Sequence, residues 1–96
     1  MLLYRYRRGA IYMETTRARY RTLSDEEQKL AKVIGAKISN TRATIGMSQT
    51  ELGTLANINQ TTISQIETGK RLPNIASLLS IANVLGKDLQ IDFLDL

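Results

Sequence analysis

Uncharged hydrogen-bonding side chains are concentrated in one short stretch of this sequence, between residues 48 and 73. Two short helical patterns lie there, separated by a turn of three to four residues. The second pattern places Gln, Thr and Ser at positions that must face solvent, where Lys and Glu are the usual residues. Gln can pair bidentately with adenine, and Ser or Thr can donate or accept hydrogen bonds. This composition indicates a helix surface suited to base edges in a DNA groove.

Other kinds of chemistry lack the residues that they need. The 96 residues include no Cys and no His, which argues against disulfides, thiol catalysis, zinc ligation and imidazole mechanisms. We also find no phosphate-binding glycine loop, no identifiable carboxylate pair, no apolar run long enough to span a bilayer and no signal peptide. We therefore expect one small cytoplasmic domain that is not an enzyme and has no metal, cofactor or membrane partner.

The positive charge is concentrated at the N-terminus. Residues 1–24 carry six arginines against Glu14, a balance of +5, whereas residues 25–96 carry seven basic and eight acidic side chains, a balance of −1. Residues 1–23 show no sustained helical or strand period and are expected to form a flexible basic arm. The arm is either solvated and disordered or a segment that orders on DNA phosphates or in the minor groove. Translation starts at Met1 or at Met13; the sequence allows both.

Helix-capping residues divide the next segment, residues 24–87, into helices. Ser24, Ser48, Asn59 and Asn74 are predicted N-caps, and Ser24 with Glu27 forms a capping-box signature. The helices are predicted to run from residue 25 to about 44, 49 to 56, 60 to about 68, and 75 to about 85. The residues expected to face inward are Leu30, Ile34, Ile38, Ile45, Leu52, Leu55, Ala56, Ile63, Ile66, Leu78, Leu79, Ala82 and Leu85.

The last segment, residues 88–96, alternates as a strand does. Leu89, Ile91 and Phe93 fall on one face, with Gln90 and Asp92 on the other. A single strand has no partner within a helical domain, so it needs a second copy or another protein to satisfy its backbone. Leu89, Ile91, Phe93 and Leu96 are therefore the predicted dimerisation residues. The alternative is a frayed tail folded on its own core.

The span from Ile34 to Leu85 resembles the Xre/Cro-type helix-turn-helix family, which includes the phage repressors. The resemblance is carried, in order and without gaps, by Ile34-Gly35, Ile38, Arg42, Gly46, Ser48-Gln49, Leu52, Ala56, Ile58, Thr62-Ile63-Ser64, Ile66-Glu67, Gly69-Lys70, Pro73, Leu78 and Leu85-Gly86. Gly53 departs from the pattern, which usually has Ala there. The predicted fold is all-α: a compact four- to five-helix phage-repressor-like domain with a short C-terminal β-strand used for dimerisation.

The resemblance assigns roles to individual residues. It implies that the helix beginning at Gln60 is a recognition helix that lies in the major groove. Gln60, Thr61, Thr62 and Gln65 are the predicted base-reading residues. The residues predicted to contact the DNA backbone are Gln49, Ser64, Thr68, Lys70, Arg71 and Arg42. Lys70 and Arg71 could instead be ordinary solvated loop charges. Gln60 and Thr61 could be exposed residues of the first helical turn that do not read bases.

Arg42 and Glu67 are expected to form a structural ion pair, as an Arg late in the first helix and a Glu ending the recognition helix do in related repressors. A free carboxylate facing phosphates would repel them, so pairing also removes an unfavourable charge. Arg42 could serve both the ion pair and the DNA backbone.

A single recognition helix reads about half a site, so we expect a homodimer on a palindromic operator in double-stranded DNA. The strand-terminated tail makes the chain similar to HipB-like antitoxins. That resemblance implies a type II toxin–antitoxin role, in which the protein represses its own operon and neutralises a kinase-like toxin. The alternative is a stand-alone phage-type or housekeeping repressor with no toxin partner. A third possibility, an interaction module that has lost DNA binding, conflicts with the Gln- and Thr-rich helix.

Overall fold

Four helices and a two-stranded sheet form the described part of the protein. The structure is a computed structural model that describes residues 3–7, 10–14 and 22–92. In chain order the elements are β1 (Leu3–Arg7), β2 (Ala10–Glu14), α1 (Asp25–Ile45), α2 (Gln49–Ala56), α3 (Gln60–Glu67) and α4 (Ile75–Val84). Within this part of the chain, none of the helices has both the length and the apolar composition needed to cross a bilayer.

The two N-terminal strands were not predicted from the sequence. β1 and β2 pair antiparallel, from Leu3 opposite Glu14 to Arg7 opposite Ala10. Each strand is only five residues long, so the alternation of Tyr with Arg in β1 is not sustained along the segment. Tyr, which occurs in both runs, and Ile, which occurs in the second, favour strands, and only residues 8 and 9 separate the two strands. The expectation of an arm without regular structure is therefore wrong for these ten residues.

The helices begin where the capping residues predicted. Ser24 and Ser48 each form a complete capping box, with Glu27 and Glu51 respectively. The Asn59 and Asn74 side chains accept hydrogen bonds from the backbone N–H groups of Thr62 and Ser77. The C-terminal ends of α1, α3 and α4 differ by one residue from the predicted ends. Hydrogen bonds between residues close in sequence therefore set where the helices begin and end.

The core joins one residue of α1 to the faces of α2, α3 and α4 that oppose it. Its buried members are Ile38, Leu52, Ala56, Ile63, Ile66, Ile81 and Leu85. Four residues predicted to face inward are exposed instead: Leu30, Ile45, Leu55 and Leu79. Leu30 and Ile45 lie near the two ends of α1, whose 21 residues span about 31 Å. The shorter helices cannot cover that length, so only the middle of α1 is buried.

Gly35 allows α1 to pack closely on α3. A Cβ at this position would overlap the carbonyl oxygen of Ile66 and lie 2.8 Å from that of Glu67. In the sequence Gly35 reads as a mild break in the helical pattern. In the structure it is a buried residue in the middle of α1, and its missing side chain lets α1 approach the backbone at the end of α3.

The chain after α4 is neither helix nor strand as far as residue 92. The predicted strand is therefore absent over residues 88–92, whereas Phe93 and Leu96 lie outside the described residues. A strand needs a neighbouring backbone for its hydrogen bonds, and in the described residues β1 and β2 pair with each other alone. Leu89 is half-buried and Ile91 is exposed. A fifth helix is likewise not found in the part of the chain described.

Candidate nucleic-acid interface

The α2–turn–α3 unit presents one polar face of α3 outward. Ile63 and Ile66 are buried on the opposite face, which fixes the rotation of the helix. Gln60 and Thr61 are exposed, and Thr62, Ser64 and Gln65 are half-buried. The positions predicted to read bases therefore lie on the side of α3 away from the core, or at its edge.

The turn before α3 is held by backbone hydrogen bonds and by a side-chain cap. Asn57 adopts the left-handed conformation with φ of 58°, and the Ile58 N–H donates to the Gly53 carbonyl at 2.8 Å. The Asn59 side chain accepts from the Thr62 N–H at 2.7 Å. The remaining N–H groups of the first turn and the positive end of the helix dipole favour an anion such as a DNA phosphate at this end of α3.

A chain of hydrogen bonds connects the start of α3 to its end through α2. Gln60 Nε2 donates to Gln49 Oε1 at 2.9 Å. Gln49 Nε2 in turn donates to Glu67 Oε1 at 3.0 Å. Gln49, predicted to contact the DNA backbone, thus lies next to Gln60, predicted to read a base. The structure brings both residues together with the predicted ion pair.

Arg42 and Glu67 form a bidentate ion pair between α1 and α3. Arg42 Nε donates to Glu67 Oε2 at 2.7 Å, and Arg42 Nη2 donates to Oε1 at 2.9 Å. The Glu67 side chain is 3% exposed and that of Arg42 17%. Arg42 Nη1 also donates to the Met47 carbonyl at 2.7 Å, so all three guanidinium nitrogens have a protein partner. These contacts fit a structural role for Arg42 better than a contact with DNA.

The ion pair alters the pKa of both members. Burial raises the pKa of Glu67, but hydrogen bonds from Arg42 and Gln49 and the Arg42 charge outweigh burial, so the pKa lies below its ordinary value. The hydrogen bond to Glu67 raises the pKa of Arg42. Glu67 therefore remains ionised at neutral pH, and an ionised carboxylate can only accept hydrogen bonds.

A second arrangement lies at the C-terminal end of α3. Gly69 has φ of 78° and packs against Lys32 of α1, which ends the helix and turns the chain. The N–H groups of Lys70 and Arg71 then donate to the Gln65 carbonyl at 2.9 and 3.2 Å. Arg71 Nε donates to Gln65 Oε1 at 3.0 Å. The sequence-predicted cations Lys70 and Arg71 are both exposed, and Arg71 contacts a predicted base-reading residue.

Thr68 and Ser64 are two further residues that were predicted to contact the DNA backbone. The Thr68 hydroxyl donates to the carbonyls of Ser64 and Gln65 at 3.0 and 3.3 Å, so its proton is used within the helix. Ser64 is half-buried on α3.

An open cleft beside the end of α3 contains one residue that sequence reasoning missed. Leu23 lines it together with Gln65, Lys70 and Arg71. Nothing in the local sequence indicates that the residue preceding α1 meets the loop after α3, because that contact depends on how α1 packs. The basic N-terminal segment therefore joins the domain next to the two exposed cations.

The fold and this surface define a class: a helix-turn-helix domain whose second helix presents hydrogen-bonding side chains, as such domains do toward the major groove. The helix-turn-helix family HTH_3 matches residues 38–91, more than half of the chain. The chain belongs to this family, which comprises transcriptional regulators that bind DNA. The resemblance to Xre/Cro-type regulators is thereby confirmed.

One curated relative and several solved structures are similar. An uncharacterized HTH-type transcriptional regulator of Haemophilus influenzae is 34% identical over 65 residues, covering 68% of this chain and 66% of the relative, just under two thirds of its length. The clp gene regulator ClgR from Corynebacterium glutamicum has a TM-score of 0.60 and 26% identity over 60% of this chain and 62% of that one. An HTH_3 family transcriptional regulator from Vibrio cholerae has a TM-score of 0.62 and 27% identity over 65% of this chain and 35% of that one.

The restriction-modification controller protein C.AhdI from Aeromonas hydrophila is similar in fold. Its TM-score is 0.61 at 22% identity, and the match covers 62% of this chain and 91% of that protein. At that identity the likeness concerns the fold alone.

Proposed function

We propose that this protein is a sequence-specific repressor that binds a palindromic operator as a homodimer. The observation that carries the proposal is the polar outer side of α3, with Gln60 anchored through Gln49 and Gln65 anchored by Arg71. Anchored amides are preorganised for base edges, because their rotamers are fixed before DNA arrives. Exposed Lys70 and Arg71 supply phosphate contacts that set the register.

The base-reading part is tested by footprinting on the promoter of the protein's own gene. The variants are Gln60→Ala and Gln65→Ala. Glu26→Ala, at an exposed position on α1, is the control and should leave the footprint intact. Each glutamine variant should weaken protection at its own base pairs in both half-sites, by about tenfold in affinity. Unchanged protection in both glutamine variants would reject the assignment of α3 as the reading helix.

The dimer is proposed to form through α4 and the chain that follows it. Ile75 and Leu79 are 61% and 43% exposed on successive turns of α4, and Ile91 is 59% exposed. Exposed apolar side chains at this spacing form a surface that a second copy can cover. We propose that residues 89–96 become a strand when the partner's equivalent segment supplies the missing hydrogen bonds. Sedimentation should then show a dimer for the wild type and a monomer for Ile91→Asp, whereas an unchanged dimer contradicts this interface.

We further propose the antitoxin role, supported by the resemblance to HipB-like proteins. The stand-alone repressor is the competing proposal. The two differ in whether a kinase-like protein encoded beside this gene binds the purified dimer and loses activity. Binding with inhibition supports the antitoxin, and the absence of binding at micromolar concentrations supports the stand-alone repressor.

A further inference from the structure

The two anchored glutamines of α3 expose opposite hydrogen-bonding groups. Gln65 uses its oxygen within the protein, because Oε1 accepts from Arg71 Nε at 3.0 Å. Gln60 uses its nitrogen, because Nε2 donates to Gln49 Oε1 at 2.9 Å. An amide side chain carries one accepting oxygen and one NH₂ group with two donors. The group turned away from the protein partner is therefore the NH₂ group in Gln65 and the oxygen in Gln60, although each bonded group keeps one further hydrogen-bonding position.

Charged residues fix these two orientations. Glu67 is an ionised carboxylate and only accepts hydrogen bonds, so Gln49 must turn its nitrogen toward it, at 3.0 Å. The Gln49 oxygen then faces Gln60 and takes a hydrogen bond from it. Arg71 only donates, so Gln65 must turn its oxygen toward Arg71. Within the described residues the Gln65 NH₂ group makes no hydrogen bond, so both of its donors are left for a ligand.

Backbone contacts hold Arg71 in the position that this bond requires. The N–H groups of Lys70 and Arg71 both donate to the Gln65 carbonyl, which fixes the start of the loop directly over Gln65. Gly69 precedes them in the left-handed conformation. The Arg71 side chain therefore begins next to the amide that it contacts, and the bond to Gln65 uses only Nε, leaving the two terminal nitrogens for a phosphate.

We propose that Arg71 is a specificity-determining residue that acts through Gln65: by bonding one of the two lone pairs of the Gln65 oxygen it holds that oxygen toward the loop, so that the NH₂ group is turned away as the reading group and favours guanine over adenine. Guanine presents two acceptors in the major groove, N7 and O6, whereas adenine presents the N7 acceptor beside an N6 donor. Two N–H groups match guanine and oppose the adenine amino group. This inference rests on the proposed DNA-binding function.

The experiment measures binding of the full chain to its operator and to operators with each base pair substituted in turn. The variants are Gln65→Ala, Arg71→Ala, the double variant and Lys70→Ala. Lys70 is the matched control, since it is the neighbouring exposed cation and, among the described residues, its side chain makes no hydrogen bond to a base-reading side chain. The informative position is the base pair whose preference disappears in Gln65→Ala.

At that position the wild type should bind guanine about tenfold more tightly than adenine. Arg71→Ala should reduce this ratio to about twofold or less, because the released amide can rotate and pair with adenine through both of its groups. The double variant should show the same ratio as Gln65→Ala. Lys70→Ala should weaken binding to every operator by a similar factor and keep the ratio.

Two results overturn the inference while leaving the proposed function intact: a uniform loss of affinity in Arg71→Ala, as for Lys70→Ala, or a wild-type preference for adenine at the Gln65 position. If the wild type binds all of the operators and unrelated DNA equally, the proposed function itself fails. Circular dichroism melting of each variant establishes that lost binding is not lost folding.

Discussion

The two ends of α3 hold the same residue type in different ways. At the N-terminal end Gln60 is tied through Gln49 to the ion pair of Arg42 and Glu67, of which the Glu67 side chain is only 3% exposed. At the C-terminal end Gln65 is tied to Arg71, an exposed loop residue. The first anchor is part of the packing between α1, α2 and α3. The second is a single hydrogen bond at the surface.

This difference separates stability from recognition along one helix. Disrupting the partly buried contacts of Glu67 with Arg42 and Gln49 in the first anchor leaves polar groups without partners in a region with little water, which is costly. Disrupting the second exposes groups that water can satisfy, so folding loses little. We therefore expect substitutions at the N-terminal anchor to act on folding and binding together. Substitutions at the C-terminal anchor should act on binding alone.

The largest expected effect is on stability, from Glu67→Gln. This substitution removes the charge that pairs with half-buried Arg42 and should lower the free energy of unfolding by roughly 2–3 kcal/mol. The same change at an exposed position, Glu26→Gln, should cost less than about 0.5 kcal/mol, as should Arg71→Ala at the other anchor. Urea titration measures all three. Equal stabilities for Glu67→Gln and Arg71→Ala would remove the distinction between the two ends.

The second-largest effect is expected from acid, which should reduce the stability that the N-terminal anchor contributes. The pKa of Glu67 is lower in the folded chain than its ordinary value, which is about 4.3, so the unfolded state binds the proton more readily. The stabilisation is complete above that ordinary value and is lost as pH falls through the folded pKa. Urea titrations between pH 7 and pH 3 should show a decline that is shallower in Glu67→Gln. Parallel curves for the two proteins would contradict this role of Glu67.

The smallest effect is expected from the loop that carries the C-terminal anchor. Lys70→Ala should remove about one phosphate contact from each protomer, hence about two from the dimer, and reduce the slope of log affinity against log salt by about 1.8. Stability should be unchanged, since Lys70 is exposed. Lys37→Ala, at an exposed position on α1, is the control and should keep the wild-type slope. A wild-type slope in Lys70→Ala would show that Lys70 is an ordinary solvated charge.

Local features of the fold were predictable because their causes are close in sequence. Each helix N-cap accepts a hydrogen bond from a residue three positions later, so Ser24, Ser48, Asn59 and Asn74 mark the helix starts without tertiary information. Burial at the ends of α1 was not predictable in this way. Leu30 and Ile45 fit the helical stripe but extend past the shorter helices packed against α1.

The features of the candidate site likewise include some that local sequence predicts and others that depend on tertiary packing. The sequence by itself determined which residue types face outward on α3, because Ile63 and Ile66 set the inward face. Through the resemblance it also led to the pairing of Arg42 with Glu67. Only the tertiary structure decided how Gln60 and Gln65 are oriented. Their partners lie 11 and 6 residues away, and Glu67 lies 18 residues from Gln49. The partners lie on different elements, so no period within one element relates them, and only the packing of α1, α2, α3 and the following loop brings them together.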